Sequence, residues 1–324
     1  MKIALADNCG LKFCKDIMEH WITQGHEVKY ERGASEHLAQ WADVYYVDWV
    51  DNNIRFLYDL YHDDPQGCRT ENWNNNKKPM IVCRAIDWDV WTGFGRNQDI
   101  IDWVDKWICI APHIEKKLRS EAHFEEGKLR LIRPGVNLKK FPLKTKKTDG
   151  CQLGMVLGDM WWPKNHMGGL DIFTTLYKQN NQWRLHIRGQ HEGGDYWKIM
   201  YEHYLESRGI REAVTLYDSI EDINAFYEEI DILLHPGMKE AYCYAVAEAM
   251  AKGIPVVVND FYGSYNIWPD YILYTTHAHA IHKINRIQGD VMKYGMGNIS
   301  GRLYIKKNYN IEQMCVEYDE FLGL

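Results

Sequence analysis

Short, near-continuous apolar runs alternate with stretches whose apolar residues recur every three or four positions. Residues 2–6 read as a strand, 11–24 as a helix and 26–31 as a strand. Further apolar runs at 44–48, 80–84 and 107–111 read as strands, 112–120 as a helix and 129–133 as a closing strand. Strands this apolar are buried on both faces, as in a parallel sheet covered by helices. The pattern breaks at 134–150, which holds two prolines, two glycines and a lysine cluster, so a domain boundary is expected there. Alternation then restarts. Strands are expected at 153–157, 184–188, 214–217, 232–235 and 254–258, with helices at 165–178, 196–207, 221–229 and 245–252. The last sixty residues read mostly as helix. The implied fold is α/β, with two Rossmann-like domains whose parallel sheets face an interdomain cleft: 1–140, 151–300, and a helical segment 301–324 that can return to the first domain. Ligands of such sheets sit beyond the carboxyl ends of the strands.

Composition narrows this picture. A chain of 324 residues with a formal charge of −7 offers no global attraction to nucleic acid or an anionic membrane. Lys139, Lys140, Lys144, Lys146 and Lys147 are a local exception, read as a solvated linker in preference to an anion-binding patch. The 13 Trp and 21 Tyr supply either a bulky core or rings that stack on sugars and bases. The eight cysteines, Cys9, Cys14, Cys68, Cys83, Cys109, Cys151, Cys243 and Cys315, include no CxxC pair, and His277 and His279 lack ligand spacing, so no zinc site is expected. No apolar run approaches the about 20 residues that span a bilayer. The chain enters its first strand directly, so reduced thiols, no stable membrane insertion and a cytoplasmic location are expected.

The chemistry is densest at 237–258. Gly253 suits the position just past a helix end, and Pro255 bars continuation. Glu248 stands inside the Ala-rich run before it, where a buried carboxylate needs partners. A salt bridge would serve, and so would two vicinal ribose hydroxyls, both of which can donate to it. Glu240 falls eight residues earlier in the loop that enters this helix, and free N–H groups of that loop and first turn suit a diphosphate.

This stretch resembles the Glu-x7-Glu signature of retaining glycosyltransferase family 4, whose fold is GT-B. The likeness is in register through Lys239-Glu240-Ala241-Tyr242, Ala247-Glu248-Ala249-Met250-Ala251, Gly253-Ile254-Pro255-Val256-Val257 and Gly263. Leu157-Gly158-Asp159-Met160-Trp161-Trp162-Pro163-Lys164-Asn165 resembles the family's first strand and loop of the donor domain, with Lys164 at the place of a phosphate-binding lysine. Asp159 stands where relatives often carry a second basic residue. Leu185-His186-Ile187-Arg188-Gly189-Gln190 resembles the second strand and turn, which makes Arg188 and Gly189 nucleotide neighbours, although a structural ion pair would equally explain Arg188. The resemblance further implies base contacts at Tyr217, Asp218 and Ile220, and an interdomain segment at Arg133-Pro134-Gly135-Val136-Asn137 and Phe141. It covers roughly residues 43–270, more tightly in the second half.

The first half matches less. Asn8-Cys9-Gly10 follows the first strand, where the family has a Gly-rich loop near the donor phosphates. In Cys83-Arg84-Ala85-Ile86-Asp87-Trp88-Asp89 the position of a donor-sugar histidine holds Ile86; either Asp87 or Asp89 replaces it, or the contact is absent. Asp87-Trp88-Asp89 is formally a metal-binding triplet of another glycosyltransferase fold and is read here as a decoy, since the family needs no metal. The resemblance thus implies a metal-independent, retaining hexosyl- or pentosyltransferase that uses a nucleotide sugar such as a UDP-sugar, without a cofactor. Lys164 and N–H groups near Gly10, Ala241, Tyr242, Cys243 and Tyr244 would stabilise the departing diphosphate. Glu240, with Lys164 and Asp87, would act at the sugar, and Glu248 at the ribose. The acceptor is a glycan, a small molecule or a macromolecule, nucleic acid included. The rival readings are a GT-B nucleotide-sugar epimerase and a non-catalytic nucleotide-sugar or glycan-binding protein.

Overall fold

Seven apolar runs long enough to be strands recur before residue 160, and in the structure they divide between two sheets. The structure, a computed structural model, describes residues 1–324 except 9, 12, 50–51, 63–77, 87–96, 160–161, 191–194, 218–221 and 295–298. The chain forms two units, Met1–Gly135 with Ile311–Leu324, and Val136–Asn310.

In the first unit, β1 (Lys2–Asp7), α1 (Lys15–Thr23), β2 (Glu27–Arg32), α2 (Glu36–Trp41), β3 (Val44–Asp48), α3 (Asn52–His62), β4 (Met80–Ala85), α4 (Gln98–Trp103), β5 (Lys106–Cys109), α5 (Pro112–Glu121) and β6 (Leu129–Leu131) build a sheet of order β2-β1-β3-β4-β5-β6. Every pairing is parallel. Ile3, Ala4, Leu5, Ala6 and all of β3 are buried, as expected where helices cover both faces. The first helix starts at Lys15 rather than residue 11 because the Asp7 carboxylate captures the Gly10 and Leu11 amides at 2.8 and 2.9 Å. Both residues then hold left-handed backbone, φ 71° and 64°, which no helix tolerates.

In the second unit, β7 (Gln152–Asp159), α6 (His166–Gln179), β8 (Arg184–Gln190), α7 (Asp195–Ser207), β9 (Val214–Tyr217), α8 (Ile223–Glu229), β10 (Ile232–His235), α9 (Tyr244–Ala251), β11 (Val256–Asn259) and β12 (Leu273–Tyr274) precede α10 (His277–Tyr294) and α11 (Ile299–Asn308). Its sheet runs β12-β11-β10-β7-β8-β9. Its core centres on Leu153, Met155, Leu170, Phe173, Trp183 and Leu234.

The segment at 136–150 belongs to the second unit and is pinned to it. Thr145 and Lys146 amides donate to Glu228 at 3.0 and 2.9 Å. Lys144 is buried against Asp231 at 3.6 Å, and burial lowers its pKa. Lys146 pairs with Glu229. One member of the expected solvated lysine cluster, Lys144, is therefore a buried ion-pair partner, whereas Lys146 stays solvent-exposed in its pair. Near the other end, α11 stays with the second unit, and the first unit regains the chain only at α12 (Ile311–Leu322). That helix buries Met314, Cys315, Tyr318, Phe321 and Leu322, a stripe at helical spacing.

Candidate functional site

Loops that leave the carboxyl edge of a parallel sheet converge where neighbouring strands continue in opposite directions along the sheet. In the second unit that point lies between β7 and β10. Lys164 ends a short 3-10 turn, Trp162–Lys164, that follows β7; Glu240 lies in the loop that follows β10. The Lys164 ammonium donates to Glu240 Oε1 at 2.6 Å, across 76 residues of sequence. The two loops are tied together. The Met238 amide donates to Pro163 O at 2.8 Å, and Asn165 Nδ2 donates to Pro236 O at 3.1 Å. From the neighbouring strand, Asn259 Nδ2 donates to Gly237 O at 3.1 Å.

His235 closes β10 with its ring beneath this loop, 2% exposed. Its Nε2 lies 3.3 Å from Glu240 Oε1 and its Nδ1 3.5 Å from Cys243 Sγ. The Nε2 contact is not aligned as a hydrogen bond, so it is a contact of charges. Burial works against the Glu240 carboxylate, but Lys164 and His235 overcome it and hold its pKa down at about 2. Burial likewise opposes the His235 imidazolium; the Cys243 sulfur and Glu240 outweigh it and hold the ring up at about 10. Across the neutral range the cluster is therefore a carboxylate between two cations. Gly237 makes the approach possible, because a β-carbon there would lie 2.7 Å from His235 Nε2 and 3.3 Å from Glu240 Oε1.

The loop delivers the chain to α9 through Cys243, whose φ of 74° and ψ of 85° are left-handed. The thiol makes no capping hydrogen bond and lies against His235 instead. Ala241 and Tyr242 are buried, and the Tyr242 ring packs on Trp268 and Tyr309 at 5.3 and 4.9 Å. Any contact these two offer a ligand is a backbone contact. Tyr244 stacks edge-on against Tyr242 at 5.1 Å.

Glu248 is half-buried on α9 and accepts a hydrogen bond from the Tyr227 hydroxyl at 2.8 Å. Burial and the adjacent carboxylate push the Tyr227 pKa well above its ordinary value, so it remains a donor. A neutral phenol thus meets the need for which an ion pair or ribose hydroxyls were considered.

Arg188 and Gly189 lie near the end of β8, in register with Val156 and Gly158 of β7 across a local irregularity. Tyr217 ends β9 opposite Arg188, but its hydroxyl bonds His186 Nδ1 at 2.9 Å and its ring packs edge-on against Phe226. Its polar end is thereby engaged within the sheet. Asp218 and Ile220 lie outside the described residues, as do Asp87 and Asp89. Ile86 is buried just after β4. Gly10 belongs to the first unit, and its amide is committed to Asp7. The structure therefore joins Lys164 to Glu240 directly and Cys243 to Glu240 through His235, sets Arg188, Gly189 and Tyr217 on the same sheet edge, and leaves Gly10 in the other unit.

Sequence reasoning missed His235, Gly237, Asn165 and Tyr227. A histidine that ends an apolar strand and precedes Pro236-Gly237 is a visible signal for the first two. Tyr227 and Asn165 carry none, since their partners are 21 and 71 residues away.

Comparison with known proteins follows this geometry. Residues 145–272 match the family described as glycosyl transferases group 1. Similar solved structures include a glycosyltransferase from Rickettsia africae (TM-score 0.74, 11% identity, covering 99% of this chain and 98% of that one). A sucrose-phosphate synthase from Thermosynechococcus elongatus aligns with TM-score 0.73 and 14% identity over 100% and 98% of the two chains. The Anabaena protein HepE in complex with UDP aligns with TM-score 0.72 and 14% identity over 100% of both. No curated protein is similar at the level of sequence. The two parallel six-stranded sheets share the GT-B fold of these structures.

Proposed function

We propose, from the match of residues 145–272 to the group 1 glycosyl transferases, that the protein transfers a sugar from a nucleotide-diphosphate sugar to an acceptor, with retention and without a metal. The observation that carries this reading is the Lys164–Glu240 contact at the switch point of the second sheet, with the left-handed entry to α9 beside it. Lys164 binds the diphosphate as a point charge, and amides at the start of α9 donate to it. This neutralises the charge that grows as the nucleoside diphosphate departs. Glu240, kept ionised by its neighbours, accepts from hydroxyls of the donor sugar. Glu248 accepts from the ribose while Tyr227 holds its other side. HepE, a structure of the same fold, is in complex with UDP, and UDP is the nucleotide to try first. The acceptor is a glycan, a small molecule or a macromolecule.

Calorimetry with UDP tests the reading. Loss of a charged hydrogen bond in Glu248→Gln should cost about 1.5–3 kcal/mol, or roughly 10- to 150-fold in affinity. The melting temperature should be unchanged, and EDTA should reduce neither binding nor transfer. Unchanged affinity with a lowered melting temperature would make Glu248 a purely structural group. Absence of both transfer and donor hydrolysis, with binding retained, would leave a binding protein.

A further inference from the structure

Three metal-ligating groups converge beneath the donor loop. One ligand atom each from His235, Glu240 and Cys243 lie within 4.8 Å of one another. The sulfur stands 3.5 Å from His235 Nδ1. Bonds of about 2.3 Å to sulfur and about 2.0–2.1 Å to an imidazole nitrogen, set at a tetrahedral angle, separate the two by about 3.5 Å. The two atoms already have the spacing that one ion would impose.

The setting of the ring is a second observation. His235 is 2% exposed, with Nδ1 against the Cys243 sulfur and Nε2 against Glu240 Oε1 at 3.3 Å, so a buried imidazole already faces both of the other ligand groups. The backbone also holds the cluster together at a cost. Cys243 keeps φ at 74°, where a β-carbon is disfavoured, and strain of this kind concentrates at functional sites. The other trio of potential ligands, Asp7, Cys14 and Asp48, is already satisfied. Asp48 is bound by Arg84 at 2.5 and 2.7 Å, and Asp7 accepts from Gly10, Leu11, Cys14 and Tyr30.

We propose that Cys243, His235 and Glu240 form a zinc site, and that Zn²⁺ bound there inhibits transfer by taking Glu240 from the donor sugar. The inhibitory half rests on the donor reading above; the site itself does not. Thiolate with imidazole and one carboxylate selects Zn²⁺ over Mg²⁺ or Mn²⁺, which prefer oxygen. Only one ring nitrogen can serve the ion, so Glu240 turns toward it and gives up part of its contact with Lys164. That side chain is 24% exposed and has room to swing away from the dication. Three protein ligands leave a fourth position for water. Binding needs deprotonated ligands, so protons leave as the ion enters.

The test titrates the full-length protein with Zn²⁺ alone, and separately with Co²⁺ as a coloured probe. One Zn²⁺ per chain should bind, with proton release visible as a dependence of the calorimetric heat on buffer. Co²⁺ should give a near-ultraviolet thiolate-to-metal band. Cys243→Ser should abolish the band and weaken Zn²⁺ at least 100-fold, and His235→Asn should weaken it as strongly while its circular dichroism stays native. No stoichiometric Zn²⁺ binding, or binding unchanged in Cys243→Ser, would overturn the site. Zn²⁺ binding without loss of transfer would overturn the inhibition. Zn²⁺ binding by a protein that does not bind UDP would leave the metal site standing and remove the donor reading.

Discussion

The missing side chain of Gly237 matters as much as the charges around it. A methyl group there would drive into His235 Nε2 at 2.7 Å, and neither the buried ring nor the loop tied to Pro163 and Asn259 can yield cheaply. Gly237→Ala should destabilise the protein by about 1–3 kcal/mol, as overpacking does, and weaken UDP binding together with it. Thermal melting and calorimetry read both, and a normal melting temperature with normal affinity would contradict the packing. The pH response follows from the two shifted groups and their neighbours Lys164 and Cys243. His235 is raised from 6.5 to about 10, so its stabilisation is complete below its ordinary value and fades as pH climbs through 10. Glu240 is lowered from 4.5 to about 2, so its share is present above 4.5 and is lost as pH falls through 2. Urea unfolding across pH should show a plateau between these limits, and His235→Asn should flatten the alkaline decline. At this scale Lys164, Glu240 and Glu248 were legible because their sequence neighbours form a signature. His235 was read only as the end of a strand.

Among elements, the turn after β1 shows how one buried carboxylate sets where a helix begins. Asp7 accepts the amides of Gly10 and Leu11 and the hydroxyl of Tyr30, whose pKa is pushed up to about 12 by burial and by this same carboxylate. Asp7→Ala strands these donors and should cost about 2–5 kcal/mol in chemical denaturation. Asp7→Asn, which keeps an acceptor, should cost less. Equal stability of wild type and Asp7→Ala would show that the turn does not depend on this residue. Helix periodicity from residue 11 could not reveal the delay to Lys15, since it carries no information about who captures the amides. Helices α2, α3 and α4 also went unread. The first and last have six residues each, too few for a helical period to stand out.

For the molecule as a whole, the chain leaves the first unit at Gly135 and rejoins it at Ile311. The returning α12 is part of that unit's core. Tyr318 packs on Trp21 and Tyr46 at 6.3 and 6.1 Å, and Asp319 accepts from Trp21 Nε1 at 3.1 Å. Tyr318→Ala should cost about 3–5 kcal/mol, as loss of a large buried ring does. Hydrogen exchange should then lose protection in β1, β3 and β4, with β7, β8 and β10 protected as before. Equal loss in both sheets would mean that the two units unfold as one. Sequence alone determined the alternation of strands and helices and the break at 134–150, because both are written in the local order of apolar and polar residues, while the signature around Glu240 was read from a family resemblance. Only the tertiary structure decided that Lys164 meets Glu240, that Tyr227 serves Glu248, that Asp7 holds the first turn and that the side chains of Cys243, His235 and Glu240 lie together. Apart from the Asp7 turn, whose amide partners are three and four residues away, those pairings depend on strand order within a sheet, and strand order is set by which apolar faces pack together, not by neighbours along the chain.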